Sequence, residues 1–388
     1  MPSKSRRNFL KIVGGGVITA AGAGTLFAFT RTPHAAIEPW RLAIAPTNEI
    51  DVRKVVLSHA ILAPNPHNRQ PWMVDLVGDN EIDLYCDLNR RLPETDPFDR
   101  QITIGLGCFL ELADLTARKA GYRMVTKLFP DGEGTPRLDE RLVAKIKLEP
   151  DDSVKADSLF DQIFTRRSNK DPFDTSKTVS VENADAIVSV ADSTVMSGHV
   201  LDQTQIGRLR ELTWDSLDIE MRTYRTAKES IDLMRIGKSE IEANPDGIDL
   251  GGAFIETMAA LGQLSREKML EFDSVMFEQS QAAIRPYTQT AMGYVAIKTA
   301  GNSRMDQIQA GRNYVRMNLK ATELGIAMHP LSQALQEFEE MEPFYMQMRD
   351  ELGIQNNETL QMFARIGYGE TPAPSPRWQY ETRIRNNA

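Results

Sequence analysis

Two glycine-bounded stretches far apart in the chain share one pattern. Gly107 to Gly121 reads G-C-F-L-E-L-A-D-L-T-A-R-K-A-G and Gly311 to Gly325 reads G-R-N-Y-V-R-M-N-L-K-A-T-E-L-G, and Leu115/Leu319, Ala117/Ala321 and Met124/Met328 fall in one register. Each has the periodicity of an amphipathic helix closed by Gly, a common residue just past a helix. Chance similarity between two such helices is one explanation and internal duplication is the other. We favour duplication, because equal glycine spacing and three further coincidences are required together. A duplicated fold lets one chain do the work of a dimer. With 388 residues, 41% of them hydrophobic, the chain can bury one large or two modest cores.

The local patterns around the first echo mix helix and strand. Residues 37–50 form a Pro-spaced lead-in. Asp51 to Ala63 sets Val52, Val55, Val56, His59, Ala60 and Ala63 on one helical face. Trp72, Val74 and Leu76 alternate, Gly78-Asp79-Asn80 turns, and Ile82, Leu84 and Cys86 alternate in answer, which predicts a β-hairpin. After a polar, Pro-rich run from Asp87 to Arg100, strands are expected at Arg123–Phe129 and Arg141–Glu149, joined across Pro130 to Pro136. The expected class is therefore α+β, with a first half at 45–150 and a second at 151–388.

Several function classes are disfavoured. A net charge of −9, with no dense basic run beyond the first eleven residues, argues against nucleic acid. Cys86 and Cys108 make no C-x-x-C and no metal-ligand spacing, and the five histidines are widely scattered, so no metal site is expected. Gly105-Leu106-Gly107 begins a dinucleotide-like pattern, but Leu110 replaces the third glycine. Neither G-x-S-x-G nor H-E-x-x-H occurs.

The N-terminus reads as a targeting segment, residues 1–36. Ser5-Arg6-Arg7-Asn8-Phe9-Leu10-Lys11 matches the twin-arginine export pattern and precedes the Gly/Ala-rich apolar stretch Ile12 to Phe29. Removal near Ala36 is the expectation, with an uncleaved membrane anchor as the alternative because the stretch approaches bilayer-spanning length. The partner implied is the twin-arginine export machinery, and the location periplasmic or exported. This route resembles an address for proteins that leave the cell folded, often with a cofactor inside.

Pro64 to Trp72, P-N-P-H-N-R-Q-P-W, is the densest polar motif. Two prolines stiffen the bend while Asn65, His67, Asn68 and Gln70 crowd donors and acceptors into it, an arrangement suited to holding a flat heterocycle by its edge. An ordinary helix-to-strand turn is the competing reading. A second cluster, Arg166-Arg167-Ser168-Asn169-Lys170, offers guanidinium, hydroxyl and ammonium groups that could converge on one dianion, or could be a solvated turn.

The first motif resembles the P-S-x-x-N-x-Q-P-W loop of the nitroreductase superfamily of flavin mononucleotide (FMN) enzymes, with Pro64, Asn68, Gln70, Pro71 and Trp72 in register and Asn65 and Pro66 where Ser is frequent. The second resembles the family's R-x-S-x-[RK] phosphate element. Gly325 to Gln333 resembles the G-x-x-x-x-P-x-E-G segment, whose backbone faces flavin N5. Ser332 and Gln333 replace Glu-Gly there. Phe363 to Gly369 with Ser375-Pro376-Arg377 is similar to the closing strand and basic pair. The resemblance covers about residues 45–385 and points to the twin-arginine-exported, dormancy-associated branch. It implies one FMN per chain, between two pseudo-symmetric nitroreductase-like halves that mimic the family dimer, with the second symmetry-related site lost. The implied FMN-contacting residues are Pro64, Asn65, His67, Asn68, Gln70, Arg166, Arg167, Ser168, Lys170, His329, Pro330, Leu331, Ser332, Gln333 and Arg377. Protonated His67 and His329 would stabilise charge on reduced flavin. Residues of about 200–285, helical, Met-rich and broken at Asn244-Pro245-Asp246-Gly247, resemble a lid. The expected activity is hydride or electron transfer to a small substrate from an unidentified donor, and the alternative is FMN sequestration.

Overall fold

The computed structural model describes residues 31–43 and 51–385. The twin-arginine pattern and its apolar stretch lie outside the described residues. Helix α1 (His34–Leu42) precedes the first half, which runs α2 (Val52–Ala60), β1 (Trp72–Val77), β2 (Glu81–Cys86), α3 (Arg100–Lys119), β3 (Tyr122–Leu128) and β4 (Ala144–Pro150). Asp51 starts α2 by accepting the Arg53 N–H. Gly78, at φ +51°, opens the hairpin turn between β1 and β2, a conformation that suits glycine.

The second half repeats this plan. It comprises α4 (Val181–Val188), β5 (Met196–Val200), an insertion, β8 (Gly293–Thr299), α10 (Arg304–Glu323), β9 (Ala327–Pro330), α11 (Glu342–Glu351) and β10 (Thr359–Gly367). The insertion holds α5 (Gln203–Arg222), α6 (Tyr224–Asp232), β6 (Met234–Ile236), α7 (Gly237–Ala243), β7 (Ile248–Leu250), α8 (Ala253–Ala260) and α9 (Val275–Ile284), with single helical turns between and after. The two main sheets are antiparallel, in the orders β1-β2-β4-β3 and β5-β8-β10-β9. Pairing β1 with β5, β2 with β8, β3 with β9 and β4 with β10 makes these orders identical. The fold is α+β, and the insertion occupies the place of the first half's hairpin turn.

The halves meet along α3 and α10, whose close approach depends on the echoed glycines. A Cβ on Gly107 would lie 2.2 Å from the Ile308 carbonyl oxygen, and one on Gly311 would lie 2.0 Å from that of Ile104. Residues 104 and 308, like 107 and 311, are 204 positions apart, so each helix presents the same residue pair to its counterpart. That is the self-complementary contact of a two-fold interface, made within one chain. Glu111 on α3 takes Arg312 and Arg316 on α10 at 2.8 Å each, fastening the same seam.

Burial follows from the layers. In β2 the side chains alternate between buried and partly exposed, as in a sheet with one covered face. In β10 eight consecutive residues are buried, because α10 lies on one side and, on the other, the insertion through Leu209 and Leu212 together with Leu335 of the turn after β9. Tyr294 stacks on Phe363 at 4.7 Å within that second core. Cys86 and Cys108 are buried and unpaired, and burial raises both thiols. Among the described residues no helix is long and apolar enough to cross a membrane.

Candidate functional site

The stiff loop between α2 and β1 stands at the junction of both halves and the insertion. Within it His67, Asn68 and Gln70 all have positive φ, 47°, 49° and 51°. Such a run in non-glycine residues is costly and must be held by surrounding bonds. Asn65 supplies one clamp, its Oδ1 accepting the Gln70 N–H at 2.7 Å. The completely buried Gln70 supplies others, its amide donating to Pro245 O at 2.7 Å and its Oε1 accepting the Trp378 N–H at 2.9 Å. Gly105 of α3 lets the loop approach, since a Cβ there would sit 3.0 Å from that of Asn65. Pro64 is buried behind the bend.

Asn68 and Arg377 are turned toward each other. Asn68 donates to Pro376 O at 3.0 Å and accepts from Arg377 Nη1 at 2.7 Å. Arg377 also donates to the carbonyls of Ile61, Leu62 and Ala63. All three of its guanidinium nitrogens meet protein acceptors, so it buckles the C-terminal segment onto the loop. The C-terminal chain then joins the first sheet, where Ile384 bridges Val74 in parallel.

Arg166 is equally buried. It donates to Asn318 Oδ1 at 3.1 Å and Leu62 O at 3.2 Å, while its Nε has no partner. Arg167 bonds the carbonyls of Phe164 and Arg166 and lies over the Trp40 ring at 4.7 Å, with Arg377 over the same ring at 5.4 Å. Burial lowers Arg166, and lowers Arg167 to about 10 and Arg377 to about 9, the last with the like charges of Arg166 and Arg167 and against the charge of Asp249; Arg167 and Arg377 remain protonated at neutral pH. Among the described residues, Ser168 and the exposed Lys170 have no hydrogen-bond partner. Among the described residues Arg166, Arg167, Lys170 and Arg377 have no carboxylate within ion-pair distance. The charge of Lys170 is nevertheless felt at His67, His329 and Asp249, which gathers these groups around one space. Asp249 is exposed at the surface, and desolvation, opposed by the charges of Lys170 and Arg377, raises its carboxyl.

The expectation of protonated imidazoles is corrected. Burial, followed by Lys170 and Arg69, lowers His67 to about 4, and burial, Arg365 and Lys170 hold His329 well below its ordinary range. Both are neutral at pH 7. Arg365 Nε donates to His329 Nδ1 at 3.1 Å, so the neutral ring carries its proton on Nε2. His67 Nε2 lies 3.0 Å from Ser230 Oγ of α6. Of the remaining expected contacts, Pro330 ends β9, while Leu331 N and Ser332 Oγ both bond Phe363 O and face the second core. Gln333 has a buried Oε1 with no partner.

Four residues carry this arrangement without having been singled out by sequence. Arg365, wholly buried in β10, donates to Asn169 O and Asp171 O as well as to His329, and so shapes the basic turn; an arginine inside an unbroken apolar strand was its signal. Trp40 donates to Ser375 O. Asp246, in the insertion's Asn-Pro-Asp-Gly turn, meets Arg69, Arg90 and Arg235. Glu220 faces His67 across 3.9 Å. The pseudo-symmetric turn, between α4 and β5, is closed by Asn313, which bonds Asp192 and Thr194.

No protein-family model matches the chain, and no curated protein matches it. Among solved structures it is similar to a nitroreductase with bound FMN from Bacteroides fragilis, at 16% identity and a TM-score of 0.32, over 56% of this chain and 91% of that one. It is also similar to the FMN-dependent nitroreductase NfnB from Mycobacterium smegmatis in complex with NADPH, at 19% identity and 0.32, over 54% and 90%. A third is oxidized iodotyrosine deiodinase bound to FMN and 3-iodo-L-tyrosine, at 14% identity and 0.34, over 57% and 95%.

Proposed function

We propose that this protein is an exported FMN-binding oxidoreductase of the nitroreductase type, belonging to the twin-arginine, dormancy-associated branch. The observation that carries the cofactor is the cluster of Arg166, Arg167, Lys170 and Arg377, which has no carboxylate within ion-pair distance among the described residues and only the more distant field of Asp249 to offset it. Buried or half-buried cations left unneutralised are costly, and a phosphate dianion removes that cost. The donor set fits the group: Ser168 and Lys170 have free hydrogen-bonding capacity, Arg166 has an orphaned Nε, and Arg167 and Arg377 add field. Pro64, Asn65, Asn68 and Gln70 keep the rigid loop in place beside these cations, and neutral His329 offers an Nε2–H donor. FMN, when bound, supplies hydride or electron transfer at N5, so the protein needs no nucleophile. Lys170 and Arg365 take over the cationic role that the imidazoles do not fill.

The N-terminal pattern supports export, and with it a donor other than a cytoplasmic nicotinamide, such as a membrane quinol, a redox partner or a small reductant. A second reading, FMN sequestration with little turnover, is favoured by how tightly the insertion closes on the loop, with Gly247 N bonding Asn68 O at 3.2 Å and Gln70 bonding Pro245 O. The deciding experiment is an absorption spectrum of purified protein, with mass identification of what denaturation releases, followed by chemical reduction and exposure to a small acceptor. Bleaching and rapid reoxidation support the enzyme, inert flavin supports storage, and a colourless protein that takes up no FMN rejects both.

A further inference from the structure

The insertion brings an unpaired acid into the site. Glu220, near the end of α5, is 6% exposed and has no lysine or arginine within ion-pair distance among the described residues. Its neighbours come from three segments: His67 of the rigid loop at 3.9 Å, Ser230 of α6 at 3.5 Å to Oε1, and the amides of Gln336 and Gln333 in the turn beyond β9. Its Oε2 has no hydrogen-bond partner, and neither do the buried Oε1 atoms of Gln333 and Gln336. The nearby Glu229 accepts from the N–H groups of Glu94 and Thr95 and from the Thr95 hydroxyl, and its charge adds to burial in opposing ionisation of Glu220. A structural carboxyl in so closed a position is normally saturated with donors. This one has an Oε2 without a partner of normal geometry, and the side chain of Gln333, a residue of the proposed flavin-contacting segment, lies beside it.

We propose that Glu220 is the acid that protonates the substrate, with Ser230 and His67 as its route to solvent. The proposal rests on the FMN reading above. The Glu220 O–H bond breaks as its proton bonds to the substrate atom beside the one that accepts hydride. The two electrons come from a dihydroflavin, which ends oxidised while the substrate ends reduced. The carboxylate regains a proton from water through His67 Nε2 and Ser230 Oγ, which lie 3.0 Å apart. Burial above all raises the carboxyl to about 7, the range in which an acid is both loaded and willing to give up its proton.

The test uses the full chain, Glu220→Gln, and Ser230→Ala in case the first variant folds poorly. In FMN-loaded protein reduced beforehand, reoxidation by a water-soluble benzoquinone, which needs a proton, is expected to slow about 100-fold in E220Q and to lose its decline above pH 7. Ser230→Ala slows it in the same direction. Reoxidation by ferricyanide, which takes electrons alone, stays unchanged in both. Without flavin, infrared difference spectra should show a protonated carboxyl band that fades as pH rises through about 7 and is missing from E220Q. A yellow protein whose benzoquinone rate ignores Glu220, or whose band is absent at every pH, overturns the role alone. A protein that takes up no FMN overturns the cofactor reading, and the role with it.

Discussion

His67 and Glu220 sit 3.9 Å apart with protonation shifted in opposite senses, and stability should record each. His67 is held to about 4, so as pH falls from 6.5 toward 4 the unfolded chain gains a proton that the folded one refuses, and stability is lost. Glu220 is raised to about 7, so stability is lost as pH rises from 4.5 through 7, where only the unfolded chain has ionised. The difference in unfolding free energy between E220Q and wild type should therefore shift in favour of the variant by about 3 kcal/mol across pH 4.5 to 7, and His67→Gln should gain relative to wild type in the opposite direction. Urea titrations at stepped pH measure both, and parallel curves would reject the assignment. The cations divide likewise. Lys170→Gln should lower FMN affinity about tenfold with stability intact, because Lys170 is exposed and bonds to none of the described residues. Arg166→Ala should weaken both, because it also breaks the bonds to Asn318 and Leu62; unaltered FMN retention in either variant counts against the phosphate site.

Among the elements, the crossing of α3 over α10 depends on two missing methyl groups. Gly107→Ala or Gly311→Ala should each destabilise by about 3 kcal/mol, since the added carbon meets a backbone oxygen that cannot swing aside. The double variant should cost less than the sum, because one separation of the helices relieves both clashes. Gly207→Ala on α5, where a Cβ meets nothing within 4 Å, is the control and should be neutral or stabilising. Equal urea midpoints for Gly107→Ala and Gly207→Ala would show that the helices do not approach so closely. The echoed spacing already marked these helices in the sequence, and the hairpin of β1 and β2 was legible from alternation. The start of α3 at Arg100, seven residues before the echo, was not, because Asp96 caps that turn from a Pro-rich run by accepting the N–H groups of Gln101 and Ile102.

For the assembled chain, the attachment of the insertion to the first half turns on Asp246. Burial pushes this carboxyl up, but the bond from Arg235 and the charges of Arg90, Arg235 and Arg69 together hold it below the ordinary range. Asp246→Ala leaves three guanidiniums facing one another, a loss on the order of 3 kcal/mol. The expected result is faster proteolytic cleavage within residues 233–290 and quicker release of bound FMN. Cleavage at the wild-type rate would mean that Gln70, Gly247 and the apolar contacts suffice to hold the insertion closed.

Patterns with a short period were readable from the chain alone: helix and strand in each half, the repeat that joins them, the rigid loop, the place of the insertion, and the residue types that suit an anion and a flat ring. Each of these depends on neighbours within a few positions or on one repeated spacing. Folding in three dimensions settled which groups remain charged and which are already engaged. Arg377 is held by carbonyls more than 300 positions away, His67 and His329 lose their protons to burial beside Lys170, and Glu220 and Asp246 gain meaning from partners on other segments. Desolvation and ion pairing act through space, so no local pattern along the chain encodes them.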